Sequence, residues 1–392
     1  MFISRPRPLP FRPMVALLAA SCGIVVANIY YSQPLLGLIG PALHMRPGAE
    51  SLIVSLTQLG YAAGLIFLVP LGDLVENRRL VVITVTASIL PLLLAGLAWN
   101  GQVMLVVSAL IGLTSVAVQM LIPLAAHLAP EARRGRVVGL VTSGLLFGIL
   151  FSRPIASMVA AFGSWRAIFF MSAGLMAGLA LLLSRALPYR KPELDYHYVA
   201  LLTSLFSLPL RFPVLRQRAA YQAAVFAGFS LFWTGVPLFL AQDFGFTQKG
   251  IALFALAGAA GALVAPAAGH LADRGHTAVG TLASLLGIIV AFGIAAMGAK
   301  LHSVIVLALA AIVLDAGVQT SLVLGQRSIY ILAPELRSRM NGIFMAMFFV
   351  GGAAGSAATG LLLSQGGWMA LCAAGALLPL VALVYFLASH SR

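Results

Sequence analysis

Two charged side chains stand deep inside long apolar stretches of the sequence, where charge is rare. Asp315 lies about twelve residues into the stretch 303–332, and Arg153 about sixteen residues into 137–161. If both stretches are helices with a rise of ~1.5 Å per residue, Asp315 lies roughly 18 Å and Arg153 roughly 24 Å from the start of its helix. Ionisable groups at such depths in a membrane mark routes of ions or substrates.

Asp315 is predicted to carry a proton. It is the only acidic residue within any of the apolar stretches, and an isolated carboxylate is costly to keep ionised in hydrocarbon. Gln319 lies one turn further along and Gln326 continues the same face, so this face is expected to line a cavity. The alternative is an Asp that is protonated or hydrogen-bonded for structural reasons.

Arg153 keeps its charge at any physiological pH. It therefore needs a carboxylate, carbonyl groups, water or an anionic solute as its partner. We expect it to tune the proton site at Asp315 or to hold the solute. The alternative is a side chain that extends to the outer membrane surface.

Polar and aromatic residues at three- and four-residue spacing form stripes on several predicted helices. Such mixed stripes are typical of a solute cavity, although hydrogen bonds between helices and plain packing would also produce them. The predicted cavity residues are Asn28, Tyr31, Gln119, Trp233 and Gln319, and Trp233 shares its stripe with Gln222, Phe226 and Phe229.

The composition indicates which elements position these residues. Of 392 residues, 61% are hydrophobic and 9% are charged, and the mean hydropathy is +1.03. These values exclude a soluble globular protein, in which about 25% of residues are charged, and a disordered chain. A membrane β-barrel would show alternating segments of about ten residues. An all-α membrane protein is therefore predicted.

Twelve apolar blocks predict twelve membrane-spanning helices, because each is close to the ~20 residues that a helix needs to cross a bilayer. Their approximate bounds are 14–39, 51–71, 80–98, 102–128, 137–161, 165–186, 220–242, 250–271, 277–299, 303–332, 340–364 and 368–388.

Basic residues predict the orientation. Of the 24 Lys and Arg residues, eighteen lie in segments on the same side as the N-terminus and four in segments on the other side. Because cytoplasmic loops are rich in Lys and Arg, both termini are predicted to be cytoplasmic. The same rule accounts for the net charge of +14 without a nucleic-acid partner.

The chain contains an internal repeat at offsets between 200 and 204 residues. The matches are LAPEAR at 128–133 with LAPELR at 332–337, Asp73 with Asp273, and Trp165 with Trp368. We predict a first six-helix half at 1–187, a partly amphipathic cytoplasmic linker at 188–219, and a second six-helix half at 220–392. Two parallel repeats place a solute site between them, near the middle of the bilayer.

Small residues form one face of two predicted helices, and such faces permit close helix packing. We expect both to be interfaces between the halves. They comprise Gly351, Gly352, Gly355 and Gly360 in span eleven and the segment 148–157 in span five.

Three segments carry a resemblance to a known family. Gly269-His270-Leu271-Ala272-Asp273-Arg274 fits the loop motif of the major facilitator superfamily, and residues 70–79 are a first-half copy with Leu74 where Arg is usual. Together with the repeat, the sequence resembles this family over essentially the whole chain. Residues 148–157 resemble the antiporter motif of its drug:proton antiporter branch, with Arg153 where a proline is expected. That branch usually has a buried Arg in span four, where this chain has Ser108.

The resemblance implies a secondary active transporter that works by alternating access and exports small organic compounds, drugs or metabolites, against an inward flow of protons. It implies a cytoplasmic gate formed by Asp73, Arg78, Asp273 and Arg274. We expect a monomer in the bacterial inner membrane.

No P-loop, metal-ligand cluster or nucleophile with a matching base is found in the sequence. We therefore expect no enzyme activity, no metal and no cofactor. The expected partners are a small organic solute, protons and the lipid bilayer. The alternatives are a metabolite importer or uniporter of the same fold, and a membrane sensor that binds a partner and transports nothing.

Overall fold

A computed structural model describes residues 11–190, 197–262, 264–333 and 336–390 of the chain. Within these ranges every regular element is a helix. The α-helices are α1 Phe11–Ala27, α2 Leu36–Ala42, α3 Ser51–Phe67, α4 Asn77–Ala87, α5 Ile89–Leu97, α6 Gly101–Thr114, α7 Ala117–Leu128, α8 Arg134–Phe162, α9 Trp165–Ala186, α10 Tyr198–Arg211, α11 Pro213–Asp243, α12 Gln248–Ala262, α13 Ala265–Asp273, α14 Thr277–Lys300, α15 Val304–Tyr330 and α16 Arg337–His390.

Nine segments of the described residues are long and apolar enough to cross a membrane. One of them belongs to α16, whose 54 residues would span about 80 Å as a straight helix, far more than a bilayer of ~30 Å. At Gly367 its backbone leaves the helical region with φ 61° and ψ −160°, a conformation that suits glycine. The break divides α16 into the predicted spans eleven and twelve. α1 with α2, and α12 with α13, correspond to predicted spans one and eight. The total of twelve stays a prediction.

Local capping explains where several helices begin. The Asn100 side chain accepts a hydrogen bond from the Val103 backbone N–H at 2.9 Å at the start of α6. The Ser164 hydroxyl accepts one from the Arg166 N–H at 3.2 Å at the start of α9. Side chains of this type satisfy backbone donors that have no partner within the helix.

The same close helix crossing occurs in both halves. Ala19 and Gly23 of α1 lie against Gly144 and Gly148 of α8, and Ala223 and Ala227 of α11 lie against Gly351 and Gly355 of α16. A Cβ atom at any of these four glycines on α8 and α16 would overlap the facing backbone. The equivalent positions on α1 and α11 are 204 residues apart, an offset that the sequence repeat also shows.

The expectation that both small-residue faces join the halves is wrong in part. Gly351 and Gly355 pack against α11, which belongs to the same half, and Gly148 packs against α1. Gly360 does face the other half, where it contacts the backbone of Gly48. A helix face made of small residues predicts that another helix packs closely against it. Which helix that is depends on the arrangement of the whole bundle.

Helices of the two predicted halves pack against each other, and inner and outer below refer to the predicted orientation. α3 packs against α16, and α8 packs against α12. The Ser55 and Ser356 hydroxyl oxygens lie 2.8 Å apart, and the Gln58 amide donates to Ser230 at 2.9 Å. The halves are therefore held together on the outer side.

The linker helix α10 contacts both halves at the inner side. The Tyr198 hydroxyl donates to the backbone oxygen of Phe67 in the first half at 2.7 Å. Leu205 and Leu208 pack in an apolar cluster with residues of the second half. α11 begins at Pro213, so its first turns fall within the predicted linker, and residues 191–196 of the linker lie outside the described residues.

Candidate functional site

A buried hydrogen bond joins two of the predicted site residues in the second half. The indole N–H of Trp233, on α11, donates to the Asp315 carboxylate, on α15, at 2.8 Å. Only 1% of Trp233 and 8% of Asp315 is exposed. The carboxylate therefore has one strong donor in the middle of the bundle, and a hydrogen bond to a charged group is among the stronger kinds.

Arg153 reaches the same indole from the first half and lies over the face of its ring. Its guanidinium carbon lies 4.6 Å from the centroid of the Trp233 ring, and the residue is 4% exposed. Its Nε donates to Gln33 Oε1 at 2.8 Å, and the Gln33 amide donates to Thr234 Oγ1 at 3.3 Å. This series of contacts starts at Asp315 in one half, passes through Arg153 in the other, and returns to α11.

Aromatic rings surround the guanidinium group of Arg153. The Tyr30 ring centroid lies 5.1 Å and the Phe229 ring centroid 5.4 Å from its Cζ. Rings at this distance attract a cation through their π faces, most strongly where water is excluded. Arg153 does not extend to the outer surface, so the alternative of a snorkelling side chain does not describe it.

Glycines on α12 leave the space that Asp315 and Trp233 occupy. A Cβ atom at Gly258 would lie 2.5 Å from the Trp233 ring and 2.8 Å from Asp315 Oδ2. A Cβ atom at Gly261 would lie 2.6 Å from Asp315 Cβ. All three distances are shorter than real Cβ atoms tolerate, so this helix approaches α15 closely only because it carries glycine.

Gln119 lies near the boundary between the halves. Its amide donates to the Tyr61 hydroxyl at 3.3 Å, and the Tyr61 ring lies 4.4 Å from the Phe349 ring of the second half. Gln319 is half-buried on α15, about one turn inward of Asp315. Neither residue contacts the Arg153–Trp233–Asp315 cluster through a hydrogen bond among the residues that the structure describes.

Asn28 and Tyr31 lie further from the cluster. The Asn28 amide oxygen accepts from the Ser172 hydroxyl, and its amide nitrogen lies 3.7 Å from Met176 Sδ, so its partners are both on α9. Tyr31 is buried, and no hydrogen bond or ring contact joins it to the cluster within the described ranges.

Sequence reasoning missed Gln33 and Thr234. α1 ends at Ala27, and a short 3₁₀ turn, Gln33–Leu35, precedes α2. This break takes Gln33 out of the helical periodicity on which the stripes were defined. A polar residue within an apolar block, followed directly by Pro34, was the available signal in the sequence.

At the inner ends of the second-half helices, within the part of the chain that the structure describes, the predicted gate residue Asp273 does not pair with its neighbour Arg274. Asp273 forms an ion pair with Arg327 of α15, and both side chains are 52% exposed. Arg274 is exposed to solvent, and among the described residues no ion pair joins it to Asp273. Arg327 is separated from Asp273 by 54 positions, so only the fold brings them together.

The corresponding loop of the first half is organised by Glu76. Its carboxylate accepts from the backbone N–H groups of Arg78 and Arg79 at 2.9 and 2.7 Å and caps α4. The Arg78 guanidinium donates to the Ser184 backbone oxygen of α9. Asp73 itself lies within electrostatic reach of Arg339, at the inner end of α16 in the other half.

Comparisons with known proteins agree on one family. The protein-family model described as Major Facilitator Superfamily matches residues 16–326 and 219–392 of the sequence. The protein named "Uncharacterized transporter YgaY" of Escherichia coli O157:H7 is 41% identical over 372 residues, which are 95% of this chain and 94% of the relative. "Probable transporter SCO4007" of Streptomyces coelicolor is 33% identical over 378 residues, 94% of this chain and 85% of the relative.

A solved structure of the nucleoside transporter NupG is similar to this fold with a TM-score of 0.77 and 16% identity, over 96% of this chain and 99% of that one. At this identity the likeness concerns the fold alone. A second, of a POT family transporter in complex with 5-aminolevulinic acid, has a TM-score of 0.77 and 15% identity and covers 100% of this chain and 97% of that one. The chain is an integral membrane transporter that belongs to the major facilitator superfamily.

Proposed function

We propose that the chain is a proton-coupled secondary transporter of small organic solutes, with Asp315 as its proton carrier. The observation that carries this proposal is the buried position of Asp315, which is linked through Trp233 to Arg153 of the other half. An ionisable group at the junction of two moving bodies can couple its protonation to their relative position. An isolated structural carboxylate would not need this contact with the opposite half.

Protonation of Asp315 would change the balance of charge across this junction. The ionised carboxylate attracts the guanidinium of Arg153 and accepts the indole N–H. The protonated acid loses the attraction to Arg153 and accepts the indole N–H only as a neutral group, which is a weaker hydrogen bond. It therefore biases the halves toward a different arrangement, as any group does that is more stable in one of two states.

The Asp73, Arg78, Asp273 and Arg274 loops are proposed to form the inner gate, with Arg327 as an additional member because it pairs with Asp273. We propose a monomer in the bacterial inner membrane with both termini cytoplasmic. The charge bias supports this orientation.

The direction of transport depends on how solute and proton affect each other. A solute that displaces the proton from Asp315 is exchanged for it, which is export as the resemblance to the drug:proton antiporter branch suggests. A solute whose binding is strengthened by protonation travels with the proton, which is import. A uniporter would show no dependence on a proton gradient.

The test is a solute panel on purified protein in liposomes, with flux and internal pH recorded together. Wild type should move protons with its solute, whereas Asp315→Asn should lose proton-driven flux while it still folds and inserts. Asp243→Asn, at the exposed outer end of α11, is the matched control and should keep the flux. Unchanged proton-driven flux in Asp315→Asn would remove Asp315 from the mechanism. No flux of any solute would favour the non-transporting sensor.

A further inference from the structure

Arg153 has a donor that the protein does not use. Its Nη2 atom is buried and has no hydrogen-bond partner among the described residues. The Nε atom of the same group is occupied by Gln33, at 2.8 Å. An unpaired donor on a buried cation is costly, because the group has lost its water without gaining a protein acceptor.

In the described part of the chain Asp315, the acidic residue of the same cluster, forms no hydrogen bond or ion pair with Arg153 Nη2. Arg153 lies over the face of the Trp233 ring, whereas the carboxylate accepts a hydrogen bond from the indole N–H at the edge of that ring. Within the described ranges the ion pair closer than 4 Å is that of Arg327 with Asp273, at the inner end. The positive charge of Arg153 is therefore compensated from a distance and not by contact.

The surroundings of the unused donor describe the partner that would fit it. Tyr30, Phe229 and Trp233 present aromatic rings around the guanidinium group. Planar apolar groups pack well against such faces. An acceptor, ideally with negative charge, is required at Nη2 itself, since a guanidinium binds carboxylate and sulfonate oxygens through its N–H fork.

We propose that the transported solute is an organic anion with a planar apolar body, whose anionic group binds Arg153 Nη2. This inference rests on the proposed transport function, because it assigns the substrate class of the same site. The aromatic rings pack against the planar apolar part of the solute, and Arg153 binds its anionic group.

An anionic solute also determines the sense of coupling. The charged and titratable groups whose fields reach Asp315 are Arg153 on α8 and Tyr30 in the turn after α1, while α12 presents glycines there. A proton on Asp315 removes the negative charge that Arg153 balances, so an anion at Arg153 is then favoured. Proton and anion strengthen each other's binding, and by reciprocity they travel together. The inference thus favours proton–anion cotransport over exchange.

The experiment measures binding to purified wild-type protein without any gradient, so that it is independent of transport. The probes are matched trios in which one ring system, benzene or naphthalene, carries a carboxylate, a carboxamide or an aminomethyl group. A naphthalenesulfonate, which stays ionised at every pH, reports the effect of protons. The carboxylates and the sulfonate should bind in preference to the amides and amines. The affinity for the sulfonate should rise between pH 8 and pH 5.5.

Variants of Arg153 separate the anion site from a loss of folding. Arg153→Gln should weaken carboxylate binding about ten- to hundredfold, the range of a charge-assisted hydrogen bond. Arg153→Lys should retain part of it. Arg166→Gln is the matched control, because Arg166 also lies over a Trp ring, 4.4 Å from that of Trp165, but bonds to backbone oxygens at the outer end of the first half.

Three results would overturn the anion site: amines that bind more tightly than carboxylates, no binding of any anion in the panel, or an Arg153→Gln protein that elutes as a folded monomer and binds carboxylates as wild type does. None of these results depends on Asp315→Asn. If the anions bind as expected and Asp315→Asn keeps its proton-driven flux, the anion site stands and the proposed proton carrier fails.

Discussion

The indole of Trp233 contacts both Arg153 and Asp315. Its ring centroid lies 4.6 Å from the guanidinium carbon, and its N–H donates to the carboxylate at 2.8 Å. Arg153 belongs to the first half and Asp315 to the second. One side chain on α11 therefore connects the two ionisable groups of the central cluster and the two halves of the transporter.

Trp233→Phe removes the N–H donor but keeps a ring beneath Arg153. We expect this variant to bind solute and to lose about tenfold in proton-driven accumulation, since one hydrogen bond to a charged group contributes roughly 1.5–3 kcal/mol. Trp233→Leu removes the ring as well and should lose binding too. Binding and accumulation measured on both variants would separate these roles. If Trp233→Phe and Trp233→Leu lost solute binding equally, the indole N–H would have no role in proton coupling that is separate from solute binding.

Gly261→Ala places a methyl group against Asp315 Cβ. Overpacking of this kind costs roughly 1–3 kcal/mol, so we expect a lower Tm and reduced flux. Gly287→Ala on α14 is the control, because a Cβ there meets nothing within 4 Å. A thermal melt in detergent compares the two. A Gly261→Ala protein as stable as the control would mean that α12 and α15 can separate without cost.

Ser55→Cys with Ser356→Cys should lock the outer side. The two hydroxyl oxygens lie 2.8 Å apart across the boundary between the halves, a separation from which a disulfide can form with small adjustment. Oxidation should stop flux and reduction should restore it, whereas each single variant should be insensitive to both treatments. Full flux in the oxidised, cross-linked protein would contradict the alternating movement of the halves at this position.

Asp273→Asn breaks the ion pair with Arg327. The pair is half exposed, so its loss should change the free energy of unfolding by less than ~1 kcal/mol. If the pair belongs to the inner gate, the transport rate changes although stability does not. The charge swap Asp273→Arg with Arg327→Asp should restore the rate in part. A stability loss with unchanged transport would give the pair a structural role only.

The sequence predicted the elements of this fold because each depends on local composition. Apolar length marks most spans, and the repeat predicts a division of the chain into two halves. The number of membrane spans was harder to determine from the helices, because α16 joins two predicted spans through Gly367. At this residue one positive φ value reverses the direction of the chain. The uneven distribution of Lys and Arg between successive loops predicted which helix ends lie on the cytoplasmic side.

The site was predictable only where a residue is unusual by its own type. Asp315 and Arg153 are conspicuous because charge is expensive in an apolar helix, and Trp233 because it lies on a stripe of aromatic and polar residues. The pairing of Asp273 with Arg327, and the path through Gln33, depend on which helices are neighbours. Periodicity along one helix carries no information about that.

The most direct test of Asp315 as the proton carrier is the number of protons that the protein takes up or releases when it binds a transported solute. Purified protein in dilute buffer with a pH-sensitive dye provides this number without a membrane. Wild type should exchange about one proton per solute, taken up if the solute is an anion, and Asp315→Asn should exchange none. The same proton exchange in wild type and in folded, solute-binding Asp315→Asn would contradict the account.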